Sequence, residues 1–344
     1  MKGVLTLALA ATGTLLYAAQ QYLGAEAVET DPVRRRKQIA DQINSLNLGW
    51  TASAYEDVDY EFPTGKLDPG LMSGVPGYGF NDGLGSKEFT LQELRAVPES
   101  FQSKDQWPNC QSIREIRNQS RCGSCWAFSS ATVFSDRLCI ASGQKIQTRL
   151  APQDVLSCCF SCGNGCKGGF PNAAWFYFVN HGLVSGNDFG QDGMCQPYTI
   201  TNRPEPNQTF TTPQCKRTCE NGKNYLEDKV YAKNAYILTG EAQFKAEIST
   251  NGPIVASFTT YEDYYVYKSG IYSHQTGKAR GGHAVRIVGY GEENGVKYWT
   301  IANTSGDRFG ENGYVRIRRG TNECGIEMEA ITGTVEVPAS LSSN

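Results

Sequence analysis

Gln119-Ser120-Arg121-Cys122-Gly123-Ser124-Cys125-Trp126-Ala127-Phe128 is the stretch that decides the fold. Cys125 opens an apolar run, Trp126, Ala127, Phe128, Val133, Phe134 and Leu138, whose spacing predicts a helix. A sulfur in the first turn of a helix sits at the positive end of its dipole, where the nucleophilic thiolate is stabilised. Gln119 lies just upstream, and its amide can donate to the oxyanion that forms when a carbonyl is attacked. A structural half-cystine at 125 with a surface amide at 119 is the alternative reading of the same residues.

A nucleophilic sulfur needs a base, and the chain has 3 histidines. His181 precedes Gly182 at the end of an aromatic, helix-like stretch, an ordinary place for a last-turn cation. His274 lies among Ser273, Gln275, Thr276 and Gly277, a turn-like segment. His283 stands in Gly281-Gly282-His283-Ala284-Val285-Arg286-Ile287-Val288-Gly289-Tyr290, where two glycines permit close backbone approach and an alternating strand begins. Asn303 follows at the end of the strand-like run Val296 to Ala302, and an amide there can hold the imidazole in one tautomer.

Together with Trp107-Pro108-Asn109-Cys110, Cys158-Cys159, Gly165-Cys166-Lys167-Gly168-Gly169-Phe170-Pro171, Gly182-Leu183-Val184-Ser185-Gly186, Tyr267-Lys268-Ser269-Gly270-Ile271-Tyr272 and Cys324-Gly325-Ile326-Glu327, these residues resemble the papain family of cysteine proteases, in its cathepsin B branch. The motifs run in the family's order over roughly residues 97 to 335. His283 lies 158 residues after Cys125, slightly beyond the roughly 130–150 usual for such enzymes, so an insertion is expected between them. The resemblance implies an α+β, papain-like two-lobe fold, a helical lobe and a β-barrel-like lobe with the cleft between them. Cys125 would be the nucleophile, His283 the base and then acid, Asn303 its orienter, and Gln119 the oxyanion donor. Gly168, Gly169, Phe170, Pro171 and Ala284 would line the substrate cleft, and Glu329 would close the pocket that can take a substrate arginine. A solvated surface carboxylate is the other reading of Glu329.

The chain has 344 residues and 12 cysteines, all between Cys110 and Cys324. Lys2 and the apolar run Val4 to Leu16, interrupted by Thr6, Thr12, Gly13 and Thr14, read as a signal peptide over residues 1–19, too short to span a bilayer. Residues 20–96 resemble the family's inhibitory prosegment, with Asp31-Pro32 as helix cap and first turn and Ile39, Ile43 and Leu46 on one apolar face. A separate small helical domain is the alternative. The peptidase domain is then 97–344, helical in its first half and strand-rich in its second: Ile254 to Phe258, Ala284 to Val288, Val296 to Ile301, Tyr314 to Ile317.

Many cysteines behind a signal peptide indicate disulfides and an oxidising compartment, lysosomal or extracellular. The resemblance implies the pairs Cys110 with Cys139, Cys122 with Cys166, Cys158 with Cys215, Cys159 with Cys162, and Cys195 with Cys219, leaving Cys125 and Cys324 free. A zinc site at Cys158, Cys159, Cys162 and Cys166 is the rival reading; the expectation is no metal and no cofactor. A net charge of −3 gives no sign of nucleic-acid binding. Arg34-Arg35-Arg36-Lys37 reads as a solvated face or, alternatively, a processing site. The partners expected are protein or peptide substrates, the chain's own prosegment and cystatin-type inhibitors, with the enzyme a monomer.

Two departures from the family pattern bear on activity. The segment Cys195 to Cys219 is shorter than the family's occluding loop and contains no histidine, whereas the family uses adjacent histidines there to grip a C-terminal carboxylate. An endopeptidase is therefore expected. The family's Asn-Ser-Trp is here Asn303-Thr304-Ser305, and the later Trp is Phe309. Ser305 cannot cover the Asn to His hydrogen bond, so a slower enzyme, or a protease-like binding protein without turnover, is expected unless Phe309 or Trp299 fills the gap. Of the sequons at Asn118, Asn207 and Asn303, Asn207 is the glycan candidate, since the other two fall in the cleft.

Overall fold

Asp31 starts the described structure by capping a helix: its side chain accepts from the Val33 and Arg34 amides, and Pro32 takes the first helical position. In this computed structural model residues 31–55, 84–203, 208 and 210–338 are described. The expected signal peptide, the middle of the N-terminal segment and Asn207 lie outside them.

The helices are α1 (Pro32–Leu46), α2 (Leu91–Arg95), α3 (Ser103–Gln106), α4 (Gln111–Arg114), α5 (Cys125–Ala141), α6 (Pro152–Cys158), α7 (Pro171–His181) and α8 (Gly240–Asn251). The strands are β1 (Trp50–Ala52), β2 (Gly85–Ser86), β3 (Phe101–Gln102), β4 (Tyr236–Leu238), β5 (Ile254–Tyr261), β6 (Tyr267–Tyr272), β7 (Ala279–Glu293), β8 (Val296–Ala302), β9 (Tyr314–Arg318) and β10 (Ala330–Thr332). Helices α5 to α7 form one lobe around Trp126, Phe128, Phe134, Trp175 and Phe178, which share a buried cluster. The sheet lobe has its own core, including Phe244, Tyr264, Tyr290 and Trp299. Each fully buried aromatic of this kind contributes roughly 1.5–3 kcal/mol by leaving water.

The papain-like two-lobe fold is the one expected, and the barrel-like sheet is not closed. The strands make one open sheet in the order β1-β6-β9-β8-β7-β5-β10-β4-β2, with β3 added on β7, and its two ends do not pair among the described residues. Both end strands, β1 and β2, come from the N-terminal segment. At one edge, Gly270 of β6 has φ +93° and a side chain there would meet the Gly49 carbonyl at 2.4 Å, so only glycine lets β1 approach.

Strand β7 joins the lobes. Its Arg286 reaches Asp136 of α5 at 2.7 Å and also donates to the Ser112 and Glu115 carbonyls. Asp136 and Arg286 are both buried, and hydrogen bonds besides their own support the pair: Asp136 Oδ1 accepts from the Ser112 hydroxyl at 2.6 Å while Arg286 donates to the two carbonyls. The helix that starts at Cys125 is thus pinned to the strand that carries His283. Helix α1 lies on the sheet lobe through buried Ile39 and Ile43, while Leu46 in its last turn is 50% exposed. The basic run is only partly solvated: Arg35 bridges to Glu262 at 3.0 Å.

Candidate active site

Cys125 is the first residue of α5, and the turn before it is held from several sides. The Cys122–Cys166 disulfide and the Gly123 amide, which donates to the Cys166 carbonyl at 2.7 Å, fix its shape. The Tyr198 hydroxyl, from the shortened segment, donates to the Gln119 carbonyl at 2.9 Å and lies 3.1 Å from Ser124 Oγ. Gln119 is buried, with its backbone amide on the Thr304 carbonyl at 2.9 Å and its side-chain oxygen taken by the Thr304 hydroxyl. Its Nε2 donates to the Cys122 carbonyl at 2.9 Å, which leaves the second amide proton free for another acceptor.

His283 faces Phe258 of β5 in register, and its ring is flanked by Phe258 at 5.9 Å and Tyr264 at 6.1 Å. Its Nε2 lies 2.7 Å from Asn303 Oδ1. An amide oxygen only accepts, so Nε2 carries a proton and Nδ1 is the nitrogen left for chemistry. Asn303 Nδ2 donates to Ser305 Oγ at 2.9 Å, which fixes the amide from its other end. The backbone N–H of Ala284, next to His283, lies against the Cys125 sulfur. Of the 3 histidines, His274 instead pairs with Asp263 at 3.1 Å and His181 ends α7 beside Tyr177.

Electrostatics differ from the sequence expectation. Burial pushes the Cys125 thiol up, and the N–H groups of Ala284, Trp126 and Cys125 offset this only in part. Burial likewise depresses His283 to about 4, against the pull of Asn303. In this buried form desolvation therefore favours the neutral thiol and the neutral imidazole.

The gap expected at Ser305 is also closed. His283 is 5% and Asn303 2% exposed. Trp299 does not provide the cover, since it donates to Glu327 and packs on Phe244 and Tyr290. Phe309 acts at one remove, packing on Tyr264 at 5.5 Å, and Tyr264 packs on the imidazole. Thr304, Tyr198 and Tyr264 were not legible as site residues, because each works through tertiary contacts rather than a motif.

Gly169 lies where a side chain would meet the Trp126 ring at 2.5 Å and the Cys162 carbonyl at 2.6 Å, and Gly168 has φ +114°. Phe170 donates to the Cys162 carbonyl at 2.8 Å and Pro171 opens α7, so Gly168 to Pro171 form a backbone strip beside Trp126. Half-buried Glu329 precedes β10, whose register on β5, Ile331 with Val255 and Ala330 with Ala256, leads toward Ser257, the partner of Ala284. Burial raises its carboxyl. A cavity of about 550 Å³ opens beside Asn118, Asn202, Gly306 and Asp307. The five disulfides in the structure are the pairs the resemblance implies, which leaves no thiolate in the Cys158 to Cys166 cluster for zinc.

The model of the papain family cysteine proteases matches residues 97–334. The chain belongs to the papain family of cysteine proteases. It is similar to cathepsin B-like cysteine proteinase 5 of Caenorhabditis elegans, 42% identical over 321 residues, 88% of this chain and 91% of that one. Proteinase 4 of the same organism is 46% identical over 256 residues, 70% of this chain and 76% of its own. Among solved structures, procathepsin B S9 from Trypanosoma congolense superposes with a TM-score of 0.74 at 40% identity, covering 87% of this chain and 98% of that one. This papain-family chain is thus a cathepsin B-like cysteine protease in proenzyme form.

Proposed function

We propose that Cys125, His283, Asn303 and Gln119 carry out peptide-bond hydrolysis as an endopeptidase. The observation that carries this is the convergence of the α5 N-terminus with β7, with the Ala284 N–H on the Cys125 sulfur and Asn303 at 2.7 Å from the far side of His283. Once the cleft is wet, Nδ1 of His283 takes the thiol proton and the thiolate attacks the substrate carbonyl. The oxyanion is met by the free Gln119 amide proton and the Cys125 N–H, and the imidazolium returns its proton to the leaving amine. Water then hydrolyses the thioester by the same steps in reverse roles.

Gly168 to Pro171 and Ala284 offer backbone to the substrate, and Glu329 receives a basic or apolar side chain. With no histidine in the Cys195 to Cys219 segment, no imidazole there grips a C-terminal carboxylate, so chains that continue past the cut are accepted. The N-terminal segment up to about Ala96 is the inhibitor and is removed on activation. Protein substrates and cystatin-type inhibitors are the partners, and the secretory pathway, ending in the lysosome or outside the cell, is the location. A glycan at Asn207 and a monomeric state belong to the same reading. Turnover of a dipeptide-linked fluorogenic substrate by the processed protein, absent in Cys125→Ala, tests it; turnover retained in Cys125→Ala would reject it.

A further inference from the structure

The N-terminal segment meets the sheet at both edges, and neither strand pairing involves any of the four proposed catalytic residues. Strand β2 pairs parallel with β4, Gly85 with Tyr236 and Ser86 with Ile237, and the Lys87 amide donates to the Ile237 carbonyl at 3.1 Å. The Lys87 ammonium continues inward to Glu247 Oε2 at 2.6 Å, passing over the Phe89 and Tyr236 rings at 4.9 and 5.1 Å. The Glu247 side chain is 0% exposed. Its other oxygen takes the Tyr236 hydroxyl at 2.6 Å and Arg137 at 2.9 Å. On either side of this lysine, Leu84 packs on the helical core and Phe89 on the sheet core.

Loss of residues 84–96 would leave β4 as an edge strand with unpaired backbone groups. It would also take one of two cations from a buried carboxylate. An open edge accepts an added strand, and a desolvated carboxylate whose Oε2 then keeps only the Asn251 amide, at 3.1 Å, accepts an ammonium. We propose that the β4 edge and Glu247 form a peptide-binding site outside the catalytic cleft, which takes an extended segment carrying a lysine, residues 84–96 of this chain being the occupant. The inference rests on the reading that these residues are cut away.

The test uses processed enzyme whose N-terminus is defined by mass spectrometry and whose substrate turnover is recorded first. The cleft is then blocked with an irreversible thiol reagent, and a fluorescent peptide of residues 84–96 is titrated by anisotropy. Saturable binding to the blocked enzyme is expected, weakened by about tenfold or more when the peptide carries Lys87→Gln. Altering the peptide avoids Glu247 variants that fail to fold. Residues 84–96 retained on the processed enzyme, no saturable binding, equal affinity of the two peptides, or binding lost on blocking the cleft would each overturn the proposal. A failure of turnover alone would count against the protease assignment and not against this site.

Discussion

Ser305 stands where the family resemblance implies a Trp, and its hydroxyl makes a contact at the site. It accepts from Asn303, whose oxygen holds His283. Ser305→Ala should remove about 1 kcal/mol of positioning, hence roughly a fivefold fall in kcat with KM little changed, and Ser305→Thr should restore it. Steady-state kinetics check this. Glu329 sets a second expectation. Its raised carboxyl is neutralised at a higher pH than an ordinary glutamate, so attraction for a substrate arginine weakens as pH falls. The preference for Arg-Arg over Phe-Arg substrates should therefore drop from neutral to mildly acidic pH, and Glu329→Ala should flatten the profile. Cys125, His283, Asn303 and Gln119 were legible because each sits in a run whose chemistry is local. The second contacts of Thr304 and Ser305 were not, since nothing in their spacing says that they meet Gln119 and Asn303.

At the scale of elements, α5 and β7 must be held in one relation for sulfur and imidazole to meet, and the buried Asp136–Arg286 pair is what couples them. Asp136→Ala leaves an uncompensated guanidinium and should cost about 3–5 kcal/mol in denaturant unfolding. Replacing both partners by apolar residues of similar size should recover much of that loss. The α5 start and four of the strands could be read from periodicity, but β7 runs from Ala279 to Glu293, well beyond the Ala284 to Val288 alternation. Its glycines hide the extension in sequence. Gly289 is needed because β3 passes so close that a side chain would meet the Phe101 carbonyl at 2.5 Å. That the barrel-like sheet stays open was not legible for a related reason: strand count and alternation do not say whether the last strands pair.

Across the whole molecule, the N-terminal segment supplies both sheet edges, and Cys125 and His283 are buried in the same form. With His283 depressed from 6.5 to about 4, the unfolded chain binds more protons in that interval, so proenzyme stability is full above about 6.5 and falls as pH drops toward 4. Thermal melts of the Cys125→Ala proenzyme should show this loss, with a shallower slope in Cys125→Ala/His283→Gln. Acid incubation of the wild-type chain should shorten it by the mass of the segment ending near Ala96 and raise its activity. The most direct test of the site itself uses the 2 free cysteines, Cys125 and half-buried Cys324, whose thiol burial also raises. Processed enzyme treated with an irreversible epoxide thiol probe should take up one equivalent, on Cys125 by peptide mapping, and lose turnover in proportion. Full labelling of Cys125 with turnover intact, or inactivation that tracks Cys324, would contradict the account.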